Sequence, residues 1–86
     1  MNNISSLDCL GTGEYGRIFR LLSDGHLRRR YQDLGIIPGT LVRCVMKSPF
    51  GDPHAYLIRG ATIAIRNDDA KNILITPLGG AEDGIG

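Results

Sequence analysis

The chain has 86 residues, enough for one small domain and too few for two. Its hydrophobic fraction of 42% is ordinary for a folded globular protein, and no apolar run approaches the roughly 20 residues of a membrane helix. Net charge is +1 with an isoelectric point near 7.8, far from the strongly basic footprint of a nucleic-acid binder.

The N-terminal stretch MNNISSLDCL has neither the basic start nor the apolar core of an export signal, so a cytoplasmic domain is expected. In that compartment Cys9 and Cys44 are expected as free thiols rather than a disulfide. Leu7 and Leu10 are the anchors of a polar lead-in. The following GTGEYG (11–16) is superficially like a glycine-rich phosphate loop, but it follows no strong strand and lacks the lysine and Ser/Thr pair such a loop needs. It is read as a flexible connection.

GRIFRLL (16–22) reads as a strand, ended by Ser23, Asp24 and Gly25, with Asp24 placed to cap a helix. In HLRRRYQDLG, Leu27, Tyr31 and Leu34 stand at i, i+4 and i+7, one face of a helix of about ten residues. Gly35 then suits the left-handed residue that closes a helix. Arg28, Arg29 and Arg30 fan across about 200° of this helix, so not all three can face the rest of the domain. Arg29 and Asp33 form an i, i+4 pair in its weaker order, and Asp33 opposes the helix dipole. Charges arranged this way do little for helix stability, which favours an interaction role.

IIPGT (36–40) is a turn, and LVRCVMK a strand with Val42, Cys44 and Met46 on one face. Ser48-Pro49-Phe50-Gly51 suits a type I turn, with Asp52 bonding its own backbone and Pro53 holding Asp52 extended for the next strand. Tyr56 and Ile58 alternate in AYLIRG, Ile63 and Ile65 in ATIAIR, and Gly60 between them marks a tight bend or bulge. Asn67 is placed to cap the short helical turn DDAKN before a last strand, ILIT. The order predicts a mainly β fold: a small SH3-like barrel with one inserted α-helix and a short helical turn before the last strand. It forms a single domain over residues 1–86, ordered from about 7 to 76, with 77–86 as a flexible tail.

The chemistry-bearing residues point to a binding module and not an enzyme. Asp52 and His54 are only two candidate metal ligands, and neither His26 nor the cysteines have the spacing to complete a set. No catalytic residue, cofactor site or metal site is assigned. Nucleic-acid binding would need aromatic residues interleaved with basic ones. The chain has three Tyr, two Phe and no Trp, with Tyr31 and Tyr56 claimed by core patterns. Nine of the ten basic residues fall within 17–66, where only Asp24, Asp33 and Asp52 oppose them, so the middle of the domain presents a positive field to an acidic partner. A phenylalanine at a hairpin tip either folds back onto the barrel, the commoner outcome, or meets another protein. Arg28, Arg29 and Phe50 are therefore the candidate partner-binding residues.

LRRRYQDLGIIPGTLVRCV and SPFGDPHAYLIRGATIAIRNDDAKNILI together resemble the ferrous iron transport protein A (FeoA) family, over about Leu7 to Ile75. The marks are the Arg-rich helix closing on Asp33-Leu34-Gly35, the Pro38-Gly39 turn and the Pro49-x-Gly51-Asp52-Pro53 hairpin. Arg59-Gly60 and the Ile63-Ala64-Ile65-Arg66 strand, with an acidic turn ending at Ala70, complete them. Cys44 and Tyr31 depart from the family's usual aliphatic residue and leucine, in ways compatible with packing. The resemblance implies an SH3-like barrel with an inserted helix. It also implies a small cytosolic accessory to a GTP-binding membrane iron transporter (FeoB-like), reaching the membrane only through that partner, with weak self-association allowed. Two alternatives are carried: a nucleic-acid-binding small barrel, and a stand-alone relative of the SH3-like module of iron-dependent repressors. With no DNA-binding helices ahead of Leu7, a free-standing protein is the expectation.

Overall fold

A computed structural model describes residues 3–80. In chain order the elements are β1 (Ser5–Ser6), one 3-10 turn (Leu7–Cys9), β2 (Glu14–Leu21), α1 (Gly25–Asp33), β3 (Leu41–Lys47), β4 (His54–Ile58), β5 (Ala61–Ile65), α2 (Asn67–Ala70) and β6 (Ile73–Gly80). The strands form one antiparallel sheet in the order β1-β6-β2-β3-β4-β5. The mainly β fold with an inserted helix is as expected. β1 and the 3-10 turn are additional, and they bring Leu7 and Leu10 into the core.

Strand alternation builds that core. Ile18, Val42, Cys44, Tyr56, Ile58, Ile65, Ile73 and Ile75 all turn to one side of the curved sheet, and Leu7, Tyr31 and Ile36 close over it. At two of the three irregularities in the ladder the slip decides which side chains reach the core. Between β3 and β4, Cys44 pairs with Tyr56 but Met46 with Ala55, leaving Val45 unpaired. The extra residue reverses the phase, so Met46 is 58% exposed rather than on the face of Val42 and Cys44, as expected from simple alternation. In β2 the pairing jumps from Ile18 to Arg20, which leaves Phe19 outside and turns Leu21 in.

Two further expectations are corrected. GTGEYG is not a flexible connection: Glu14, Tyr15 and Gly16 already belong to β2, and the Gly11 N–H donates to Glu14 Oε1 at 2.6 Å. The last strand does not stop at residue 76, since β6 continues through Pro77 to Gly80, opposite Glu14 to Gly16. Of the tail read at 77–86, residues 81–86 lie outside the described residues. Both cysteines are free, Cys44 buried and Cys9 exposed. No helix among the described residues is long and apolar enough to cross a membrane.

Candidate partner-binding surface

The hairpin between β3 and β4 folds as its sequence requires. The Gly51 N–H donates to the Ser48 carbonyl at 2.9 Å, closing the turn, and the Phe50 N–H donates to Ser48 Oγ at 3.2 Å. Gly51 takes φ +88, a conformation that favours glycine. Asp52, in a cis peptide with Pro53, does not bond its own loop. Its Oδ1 instead accepts the Asn67 N–H at 2.9 Å, while Asn67 Nδ2 donates to the Gly51 carbonyl at 2.5 Å. Asn67 is thus the first residue of α2 and not its cap; Arg66 holds the cap position. Asp52 supplies from another loop the acceptor that this orphan amide needs.

His54, two residues on, turns the other way. It is 8% exposed, with its ring 6.4 Å from that of Tyr56 inside the core. Asp52 and His54 therefore do not converge, and among the described residues no three His, Cys, Asp or Glu side chains group closely enough to share an ion. Phe50 does not fold back: it is 94% exposed, the most exposed of the large apolar side chains described.

In α1, Tyr31 is buried and Leu27 half-buried against the core, while Leu34 is partly exposed at the helix end. Arg28, Arg29 and Arg30 face solvent. Asp24 occupies the cap position with extended backbone but makes no side-chain cap bond. The C-terminus closes as Gly35 predicts. At φ +98 it lets its own N–H reach the Gln32 carbonyl and the Ile36 N–H reach the Tyr31 carbonyl, at 3.0 and 2.9 Å. Arg29 and Asp33 form no ion pair; among the described residues the one such contact joins Lys71 to Asp68, at 3.8 Å.

One short element connects the two candidate regions. The Tyr31 hydroxyl of α1 donates to Asp69 Oδ2 at 2.9 Å, and Asn67 holds the hairpin, so both are fastened to α2 two residues apart. Arg28 and Arg29 sit on a helix, and Phe50 on a loop, that share this support.

A second feature lies on the outer face of β2, β3 and β4. A groove of about 470 Å³ is lined chiefly by Tyr15, Leu41, Arg43, Leu57 and Arg59. The Arg43 guanidinium lies 5.3 Å from the centre of the Tyr15 ring, within cation–π range. The sequence pattern starts this strand at Gly16, so Tyr15 falls outside it and these residues go unassigned. Outward alternation in β3 and β4 would have found Arg43 and Leu57.

Comparison with known proteins follows the same lines. The FeoA domain model matches residues 6–77. The FeoA-like protein of Clostridium acetobutylicum is 29% identical with a TM-score of 0.81, the match covering 91% of each chain. The FeoA of Stenotrophomonas maltophilia, described as a procaryotic SH3 domain protein, is 24% identical with a TM-score of 0.73, over 81% of this chain and 87% of that one. A manganese-dependent transcriptional repressor shares the fold alone, at 20% identity and a TM-score of 0.79, over 91% of this chain but 44% of its own. No curated protein sequence gives a match. The SH3-like architecture expected from the strand order is thus common to these proteins.

Proposed function

The chain belongs to the FeoA domain family, and from that premise we propose that it is a cytosolic accessory protein of ferrous iron uptake that binds the cytosolic part of a GTP-binding, FeoB-like membrane transporter. Phe50 carries this reading. An almost wholly exposed phenylalanine, on a hairpin whose base is fixed to α2 through Asp52, Gly51 and Asn67, is a pre-positioned apolar contact. Arg28 and Arg29 on the exposed side of α1 add charge that speeds encounter with an acidic partner surface.

A binding role also accords with how the reactive side chains are used. Cys44 is buried and its thiol is pushed up by that burial, away from the reactive thiolate. His54 lies inside the core, and Asp52 and Asp69 accept the hydrogen bonds that fasten hairpin and helix. The protein meets the membrane only through its transporter.

The test is a calorimetric titration of the protein into the cytosolic GTP-binding portion of the same organism's iron transporter, with and without nucleotide. Saturable binding is expected. No heat at high concentration would remove the transporter's cytosolic part as the partner.

A further inference from the structure

We infer that the outer-face groove of β2, β3 and β4 is a docking site for an extended segment of a partner protein carrying a carboxylate side chain between aliphatic ones. The inference rests on the binding-module reading above and assigns it a second contact surface, distinct from Phe50, Arg28 and Arg29.

The register fixes the groove. Tyr15 stands opposite Arg43, and Arg43 opposite Leu57; one step along, Arg17 stands opposite Leu41. The neighbours Gly16, Val42 and Ile58 are buried in the core, so these side chains emerge on the outer face. Tyr15, Leu41 and Leu57 give that face an apolar strip across three strands.

Its cationic side is held in place by three separate devices. Arg43 is steadied by the Tyr15 ring, and its Nε is buried with no hydrogen-bond partner among the described residues, a donor without an acceptor. Arg59 occupies the first position of the two-residue turn between β4 and β5, at φ +52, with Gly60 at φ +83. From there its side chain lies across Gly35, so closely that a Cβ at Gly35 would overlap Arg59 Cδ. Arg17 Nη1 donates to the carbonyl of Gly39, a residue of the groove wall, at 2.9 Å.

Among the described residues no acidic side chain lines the groove, and none of these arginines forms an ion pair. Guanidinium groups present planar forks that match a carboxylate. Two such forks beside an apolar strip select an acidic segment with aliphatic flanks, which a bare anion would not satisfy.

The experiment selects peptides from a randomised displayed library on the wild-type protein, with an unrelated barrel as background. The best peptide is then titrated while amide resonances are followed. Enriched sequences should carry Asp or Glu flanked by Leu, Ile or Val, and shifts should concentrate at Tyr15, Leu41, Arg43, Leu57 and Arg59. Binding should weaken at least about tenfold with the R43Q/R59Q variant, whose glutamines lose the guanidinium but keep most of the aliphatic stem, and with the peptide's amide isostere. Enrichment no better than background, peptides without acidic residues, shifts elsewhere, self-association in place of peptide binding, or tighter binding of a dT12 oligonucleotide would each overturn the inference. If R43Q/R59Q binds the transporter as the wild type does yet loses the acidic peptide, the groove stands as the site of another protein and the accessory reading also stands. If wild type fails on the transporter yet captures acidic peptides, the groove stands and the partner is another protein.

Discussion

Tyr31 and Asp69, 38 residues apart, are joined by a 2.9 Å hydrogen bond that fixes α1 to α2. The bond couples helix docking to the protonation of one phenol. Burial first, and the bond to Asp69 second, push the Tyr31 hydroxyl up to about 12. Ionisation therefore favours the unfolded chain, where tyrosine titrates near its ordinary value of about 10. The stability held in the neutral phenol is fully present below pH 10 and is lost as pH rises toward 12. Denaturant midpoints measured from pH 9 to 12 should fall across that window. Tyr31→Phe should cost about 1 kcal/mol at neutral pH and flatten the alkaline slope. Some slope should remain, because burial also raises the Tyr56 hydroxyl.

The hairpin tether gives a second test. Asp52→Ala removes the acceptor of the Asn67 N–H, an amide at the start of α2 with no partner inside the helix. The expected cost is about 1 kcal/mol. Hydrogen exchange should quicken at Asn67 specifically, with Asp52→Asn restoring most of the protection. Unchanged exchange at Asn67 in Asp52→Ala would mean that the tether does not hold the hairpin.

That tether also marks where sequence reading stops. Pro49 and Gly51 announce the turn, and Leu27, Tyr31 and Gly35 announce the helix and its end, because each acts through neighbours a few residues away. For Asp52 the sequence offers only a local partner in its own loop, whereas its real partner is 15 residues on. Simple alternation puts Met46 inside until a bulge interrupts it, and Val45 gives no compositional sign of one. The groove needs three strands in register before Tyr15, Arg43 and Leu57 become neighbours. Phe50 was legible as a hairpin tip; its exposure follows from a short turn that leaves no path back to the core.

Arg28, Arg29 and Phe50 separate steering from contact. Arg28→Glu with Arg29→Glu should slow association with the transporter's cytosolic part on the order of tenfold at low salt, with the difference shrinking as salt rises. Phe50→Ala should leave unfolding free energy within about 0.5 kcal/mol of wild type, since the side chain is 94% exposed. It should act mainly on dissociation. Stopped-flow binding on variants shown folded by circular dichroism measures both. Wild-type kinetics in a folded variant combining Arg28→Glu, Arg29→Glu and Phe50→Ala would move the interface elsewhere on the barrel.

Gly35 links helix closure to the groove. At φ +98 any side chain is disfavoured, so Gly35→Ala should cost about 1–2 kcal/mol from the backbone alone. The new methyl would also occupy the place of Arg59 Cδ, the middle of a long side chain that can swing aside. The two costs separate in a double-mutant cycle. In an Arg59→Ala background, Gly35→Ala should retain only the backbone part, so the cycle should give a non-zero coupling energy in urea unfolding. The displaced Arg59 should also weaken acidic-peptide binding in Gly35→Ala, although residue 35 does not line the groove. Additive destabilisation, with peptide affinity unchanged, would mean that Arg59 is not positioned by its contact with Gly35.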